Sequence, residues 1–189
     1  ITPYYNKANE QGMIKHFTTV ADAVSKPLIL YNVPGRTACS LSVNAVEQLS
    51  KHPNICGIKE ASGDLGYAMS ISRFLSDDFV MYSGNDDIIV PMLAIGASGV
   101  ISVFANTHPQ ECHDLVTKWL EGDHAASLAI QQKYLDYIHA LFYEVNPIPV
   151  KEAMNQMGME IGGYRLPLCE MSETNKERLV EQMKKVGAL

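Results

Sequence analysis

The sequence predicts a parallel α/β fold, and three observations carry that prediction. Four apolar or β-branched runs, residues 28–33, 55–59, 79–83 and 99–104, are too short for helices and too continuous for one-sided antiparallel strands. They recur roughly every 20 to 28 residues, room for one strand, one crossover helix and the loops between them. The stretches between them carry helical patterning, so strand alternates with helix along the chain.

Each helix has its own signal. Residues 10–24 place Met13, Phe17, Val20, Ala21 and Val24 on one face at helical spacing. Residues 42–49 begin at Ser42, a good N-cap. Residues 86–94 follow the third strand after a Ser-Gly-Asn turn, and 107–120 carry Pro109 early, where its missing N–H does no harm. After Leu120 the alternation stops. One long helix is expected over 123–142, broken by Pro147 and Pro149, then helices over 150–157 and 174–186 around a Gly162-Gly163 loop. Residues 1–120 are therefore expected to be barrel or sheet, and 121–189 a helical extension.

Pattern alone leaves an open sheet and a closed barrel both in play. No G-x-G-x-x-G follows a strand, which weakens a dinucleotide-binding reading. A (β/α)8 barrel takes about 250 residues, so 189 leave room for about half of one plus the helical extension. The chain opens Ile-Thr-Pro-Tyr-Tyr with no start signal for a helix or strand, and the expectation is that the first strands of the fold are absent from it.

Composition removes several function classes. Fifteen Lys and Arg against 21 Asp and Glu give a formal charge of −6, with no basic footprint for nucleic acid. No apolar run approaches the ~20 residues of a membrane span, and no secretory leader is visible. Cys39, Cys56, Cys112 and Cys169 are widely spaced and, with nine Met, suit a reducing cytoplasm. His108 and His113 are poorly aligned for metal, so they are read as surface or capping residues. The glycines of Ser62-Gly63-Asp64 and Gly96-Ala97-Ser98-Gly99 are read as turn residues with positive φ rather than phosphate cradles.

Lys59 is the sharpest chemical signal. It stands near the C-terminal end of a strand expected to be buried on both faces, where α/β barrels place their catalysts. A desolvated lysine has a lowered pKa and presents a neutral amine able to form a Schiff base with a carbonyl. The bland alternative is a strand-end lysine whose head reaches water. Glu60 points to the other face and is not its partner. Tyr31 lies at the equivalent height one strand earlier, as a proton shuttle or a core tyrosine with one hydrogen bond. Arg36, in the following loop, has the planar fork that holds a carboxylate, although a lone loop arginine is as a rule simply solvated.

Tyr-Asn-Val-Pro-Gly-Arg-Thr at 31–37 and Gly-Ile-Lys-Glu-Ala-Ser-Gly-Asp at 57–64 resemble the dihydrodipicolinate synthase family of pyruvate-dependent class I aldolases. Pro3-Tyr4-Tyr5-Asn6-Lys7, Ser83-Gly84-Asn85-Asp86, Gly99-Val100-Ile101-Ser102 and Asn146-Pro147-Ile148-Pro149-Val150-Lys151 fit the same family in the same order. The resemblance implies a cytoplasmic homotetrameric (β/α)8 TIM barrel, a dimer of dimers, with extra C-terminal helices and no cofactor. It implies condensation of pyruvate with L-aspartate-4-semialdehyde on the way to diaminopimelate and lysine. Lys59 then carries the imine, Tyr31 relays protons, and Tyr5 completes that relay in a neighbouring subunit. Arg36 binds the semialdehyde carboxylate, the backbones of Gly84 and Ile101 line the pyruvate pocket, and Tyr4 lies near a site where lysine inhibits some members. One departure stands out: the family's early Gly-rich segment with two adjacent threonines has no counterpart here. The competing readings are a sugar-acid lyase of the same family, such as N-acetylneuraminate lyase, and a non-catalytic paralogue.

Overall fold

A computed structural model describes residues 1–189. The chain packs as two compact units, Ile1–Ile101 and Ser102–Leu189. The first holds a four-stranded parallel sheet: β1 (Leu28–Asn32), β2 (Ile55–Glu60), β3 (Val80–Ser83) and β4 (Gly99–Val100). Spatial order follows chain order, β1-β2-β3-β4, so the sheet winds in one direction without the strand reversal of a doubly wound fold.

Five helices belong to this unit: α1 (Glu10–Ala23), α2 (Pro34–Thr37), α3 (Val43–Leu49), α4 (Leu65–Ser72) and α5 (Ile89–Ala94). Of these, α1, α3, α4 and α5 bury one face of the sheet. Leu30, Ile58 and Met81, all 0% exposed, pack with Met13, Phe17, Val46, Leu49, Ile71 and Met92. Period-2 alternation then sends Tyr31, Lys59 and Tyr82 to the opposite face. That face is only partly covered within this chain, with Ile29 39% exposed and the other three half-buried. The expectation of strands buried on both faces therefore holds on the helix side alone, because the helices of this unit pack there.

Local chemistry explains where the elements start. The side chains of Asn9, Ser42 and Asp64 cap α1, α3 and α4 by accepting from the backbone N–H groups of Gly12, Ala45 and Tyr67. Helix α4 is an element that the sequence patterns above did not single out: its apolar stretch is short, and the Asp64 cap is its clearest local signal. The helix expected over 86–94 divides into a 3-10 turn, Asp86–Ile88, and α5. Pro91 has no N–H to give to Asp87, so an α-helical ladder cannot run through that turn. The fourth run, expected to be strand through residue 104, leaves the sheet after Val100. There Ser102 Oγ accepts the Ala105 N–H at 2.8 Å and the chain turns into a 3-10 segment, Phe104–Asn106. Gly63 and Gly96 adopt positive φ, as their turns require.

The second unit is helical: α6 (Pro109–Leu120), α7 (His124–Ala140), α8 (Ile148–Gln156) and α9 (Glu173–Val186). Helix α6 packs on α7, and Ser127 Oγ donates to the Leu115 carbonyl at 2.7 Å, so α6 groups with the helices that follow it. Phe104, His108, Tyr134 and Tyr137 form a buried aromatic cluster, with Tyr137 Oη donating to Thr107 Oγ1 at 3.0 Å. Burial pushes the Tyr137 phenol up to about 12, the Thr107 bond pulling the other way. His108 is 6% exposed and stacks on Phe104, so it is a core residue rather than a surface one, whereas His113 is exposed. No helix is long and apolar enough to cross a membrane.

Candidate active site

The site is built at the C-terminal ends of β1 to β3. Tyr31 and Lys59 are register partners, and Lys59 pairs in turn with Tyr82. The pleat therefore puts the phenol and the amine side by side on one face. Lys59 Nζ sits 4.5 Å from the centroid of the Tyr31 ring, a cation–π distance. Burial is the main cause holding the Lys59 amine below the usual lysine range, with Arg36 acting the same way and Asp86 against it. Burial likewise raises the Tyr31 phenol, and the positive field of Arg36 opposes that. Burial thus shifts both groups toward their uncharged forms, the amine downward and the phenol upward.

Gly84 makes room for the lysine stem. A Cβ at this position would stand 3.0 Å from Lys59 Cε, 2.5 Å from Ala61 Cβ and 3.1 Å from the Glu60 carbonyl oxygen. The Gly84 N–H donates to that same carbonyl at 2.7 Å, which draws the loop after β3 against the end of β2. Ile101 N–H donates to the Ser83 carbonyl at 2.9 Å, leaving the Ile101 side chain 40% exposed. Arg36 lies on the one-turn helix α2, which starts at Pro34 and ends at Ala38 in the left-handed region. It is exposed, and its charge reaches both Tyr31 and Lys59.

Lys59, Tyr31, Arg36 and Gly84 are thus brought together. Tyr5 and Tyr4 are not part of that cluster: their side chains are 89% and 64% exposed. The main chain just before them is anchored, since Thr2 N–H donates to the Tyr31 carbonyl at 3.3 Å. Sequence reasoning passed over Asn32. It is buried behind the Tyr31–Lys59 pair and bonded to Glu60, and the legible signal was two polar residues at equal height on adjacent strand ends. No group of three or more His, Cys, Asp or Glu side chains is arranged to hold a metal ion.

This geometry is accompanied by extensive similarity to known proteins. The family model described as the dihydrodipicolinate synthetase family matches residues 1–186. Among curated relatives, the 4-hydroxy-tetrahydrodipicolinate synthase of Brachyspira hyodysenteriae is 47% identical over 187 residues, 99% of this chain and 64% of that protein. The enzyme of the same name from Caldicellulosiruptor saccharolyticus is 52% identical over 179 residues, 95% of this chain and 60% of that one. The crystal structure of dihydrodipicolinate synthase from Aquifex aeolicus superposes with a TM-score of 0.94 at 40% identity, covering 99% of this chain and 64% of that one. The chloride-inhibited synthase of Acinetobacter baumannii, solved in complex with pyruvate, gives 0.95 at 38% identity with the same coverage. These solved relatives are TIM-barrel enzymes, so the four parallel strands seen here are part of a (β/α)8 barrel. The chain spans about two thirds of the length of the relatives it matches, 64% in the first of them. From residue 1 to residue 186, it belongs to the dihydrodipicolinate synthetase family.

Proposed function

We propose that the full-length protein is a 4-hydroxy-tetrahydrodipicolinate synthase, condensing pyruvate with L-aspartate-4-semialdehyde through an imine on Lys59. The observation that carries this reading is a half-buried lysine amine, lowered by desolvation and seated over a tyrosine ring at a strand's C-terminal end. The neutral amine adds to the ketone carbon of pyruvate, and water leaves to give the imine. Loss of a methyl proton then forms an enamine, which makes the new carbon–carbon bond to the aldehyde. Attack by the semialdehyde's own amine closes the ring and releases Lys59. The protonated imine nitrogen is the electron sink, so the chemistry requires no metal or cofactor.

Tyr31 is the proton carrier for carbinolamine formation and dehydration, its phenol kept un-ionised by burial. Arg36 receives the semialdehyde carboxylate, and the backbones of Gly84 and Ile101 border the pyruvate. By family resemblance we assign residues 1–120 to the barrel and 121–189 to its helical extension, although α6 packs on α7 within the unit that starts at Ser102. The exposed Tyr4 and Tyr5 suit a surface completed by a second copy of the chain, with Tyr5 entering the neighbouring proton relay and Tyr4 bordering a lysine effector site. A homotetramer in the cytoplasm accords with this and with four cysteines that form no disulfide.

The test is to incubate the full-length protein with pyruvate and borohydride, then map the mass increase. An adduct on Lys59 together with turnover of aspartate semialdehyde supports the reading. Turnover of N-acetylmannosamine instead moves the assignment to a sugar-acid lyase. No adduct makes the chain a non-catalytic paralogue.

A further inference from the structure

Behind Lys59, on the opposite face of the same strand end, lies a closed polar network with no part in the chemistry above. Asn32 and Glu60 are register partners one residue beyond Tyr31 and Lys59, and they are 0% and 2% exposed. Asn32 Nδ2 donates to Glu60 Oε2 at 2.8 Å, and the Ser62 N–H donates to Glu60 Oε1 at 2.5 Å. Asn32 Oδ1 accepts the Leu41 N–H at 3.0 Å, while Tyr67 Oη donates to the Leu41 carbonyl at 2.8 Å. Strands β1 and β2, the loop before α3 and helix α4 are therefore linked by one chain of hydrogen bonds, from Tyr67 through Leu41 and Asn32 to the Glu60 carboxylate.

The polarity of this network admits a single arrangement. A backbone N–H only donates, so Leu41 fixes which end of the Asn32 amide faces it, and Ser62 demands an acceptor. Glu60 then has to accept at both oxygens, as a carboxylate does. On balance burial raises its pKa, and the bonds to Ser62 and Asn32 only oppose that rise. A fully buried carboxylate is costly, and its best-attested use is to specify register. Register matters here more than elsewhere in the sheet. A one-residue slip of β2 would turn Lys59 toward the helices and Glu60 toward Tyr31.

We infer that Glu60, held by Asn32, is a positioning residue that fixes β1 against β2 and thereby seats Lys59 Nζ over the Tyr31 ring. The inference rests on the imine reading for its catalytic consequence but not for its geometry, so the test uses one readout of each kind. In the full-length protein, Glu60→Gln puts an amide donor against either the Ser62 N–H or the Asn32 amide, and Asn32→Asp sets two carboxylates against each other. The double variant Asn32→Asp/Glu60→Gln satisfies every bond again, with the charge moved to β1.

The first readout is acetylation of Lys59 by acetic anhydride as a function of pH, followed on its peptide by mass spectrometry. The second is the rate of pyruvate trapping by borohydride. Each single variant shifts the acetylation midpoint and slows trapping roughly ten- to a hundredfold, the cost of an ångström-scale misplacement. The double variant returns both to near the wild-type values. Single variants that fold and leave both readouts unchanged overturn the inference. A double variant that regains its denaturation midpoint without regaining the Lys59 profile does so too, and it decides the matter alone if the single variants fail to fold. If the wild type traps no pyruvate while acetylation still follows the swap, the imine reading fails and the positioning role stands.

Discussion

The two faces of the sheet at the ends of β1 and β2 differ in one respect that matters. On the helix side, Asn32 and Glu60 are sealed from water and the carboxylate accepts at both oxygens. On the other side, Lys59 and Tyr31 are half-buried, and the amine rests against a ring face. The sealed side spends its hydrogen bonds on holding position, whereas the open side leaves an amine able to react. A Lys59 neutralised by a carboxylate of its own would be a stronger ion pair and a poorer nucleophile.

The first way to break this contrast is to delete the amine. Lys59→Ala is expected to abolish the pyruvate adduct and lower turnover by roughly 10³-fold or more, measured by trapping and steady-state assay. Next, Tyr31→Phe keeps the ring beneath Nζ and removes only the hydroxyl. It should slow imine formation by about 10²-fold while the unfolding free energy changes by no more than about 1 kcal/mol. Equal losses of activity and stability would recast Tyr31 as a packing residue.

Deleting the sealed side has the reverse signature. Glu60→Ala strands the Asn32 amide and the Ser62 N–H without acceptors, at about 2–4 kcal/mol, read as a lower urea midpoint at unchanged m-value. Gly84→Ala presses a methyl between Ala61 and the Lys59 stem. The expected cost is about 1–3 kcal/mol, accompanied by slower trapping because the amine is displaced.

The smallest effect sharpens the comparison in the second unit, where the buried titratable group is kept neutral. His108 has its pKa lowered by burial and by Lys133, against Glu111, and its Nδ1 lies 3.0 Å from Thr107 Oγ1. The unfolded chain takes up this proton near pH 6.5 and the folded chain only below that. Stability from this group is therefore complete above about pH 6.5 and lost as pH falls toward the folded value. His108→Asn should flatten that part of the stability profile, measured by denaturation between about pH 5 and 7. An unchanged slope would assign it to another group.

Much of the site could be read from the chain because barrel chemistry leaves local marks. Lys59 in an apolar strand and Tyr31 at the matching position of the preceding one announce themselves by type and spacing, and the register pairs them. Asn32 and Glu60 left a weaker mark, since a polar residue at a strand end is ordinarily solvated. Only the packing of Leu41 and Tyr67 around them makes them core. His108 does stand at the N-cap position of α6, yet it is buried rather than at the surface, because Phe104 and two tyrosines of α7 enclose its ring.

The chain by itself determined the alternation of strand and helix, the caps, and the facing of Lys59 away from Glu60. Those follow from period, cap chemistry and the pleat, all of which act over a few residues. Tertiary structure decided the sequential strand order, the early end of β4 and the carboxylate network behind the lysine. Each of these depends on which groups distant in sequence compete for the same buried donors and acceptors, and no local pattern encodes that competition.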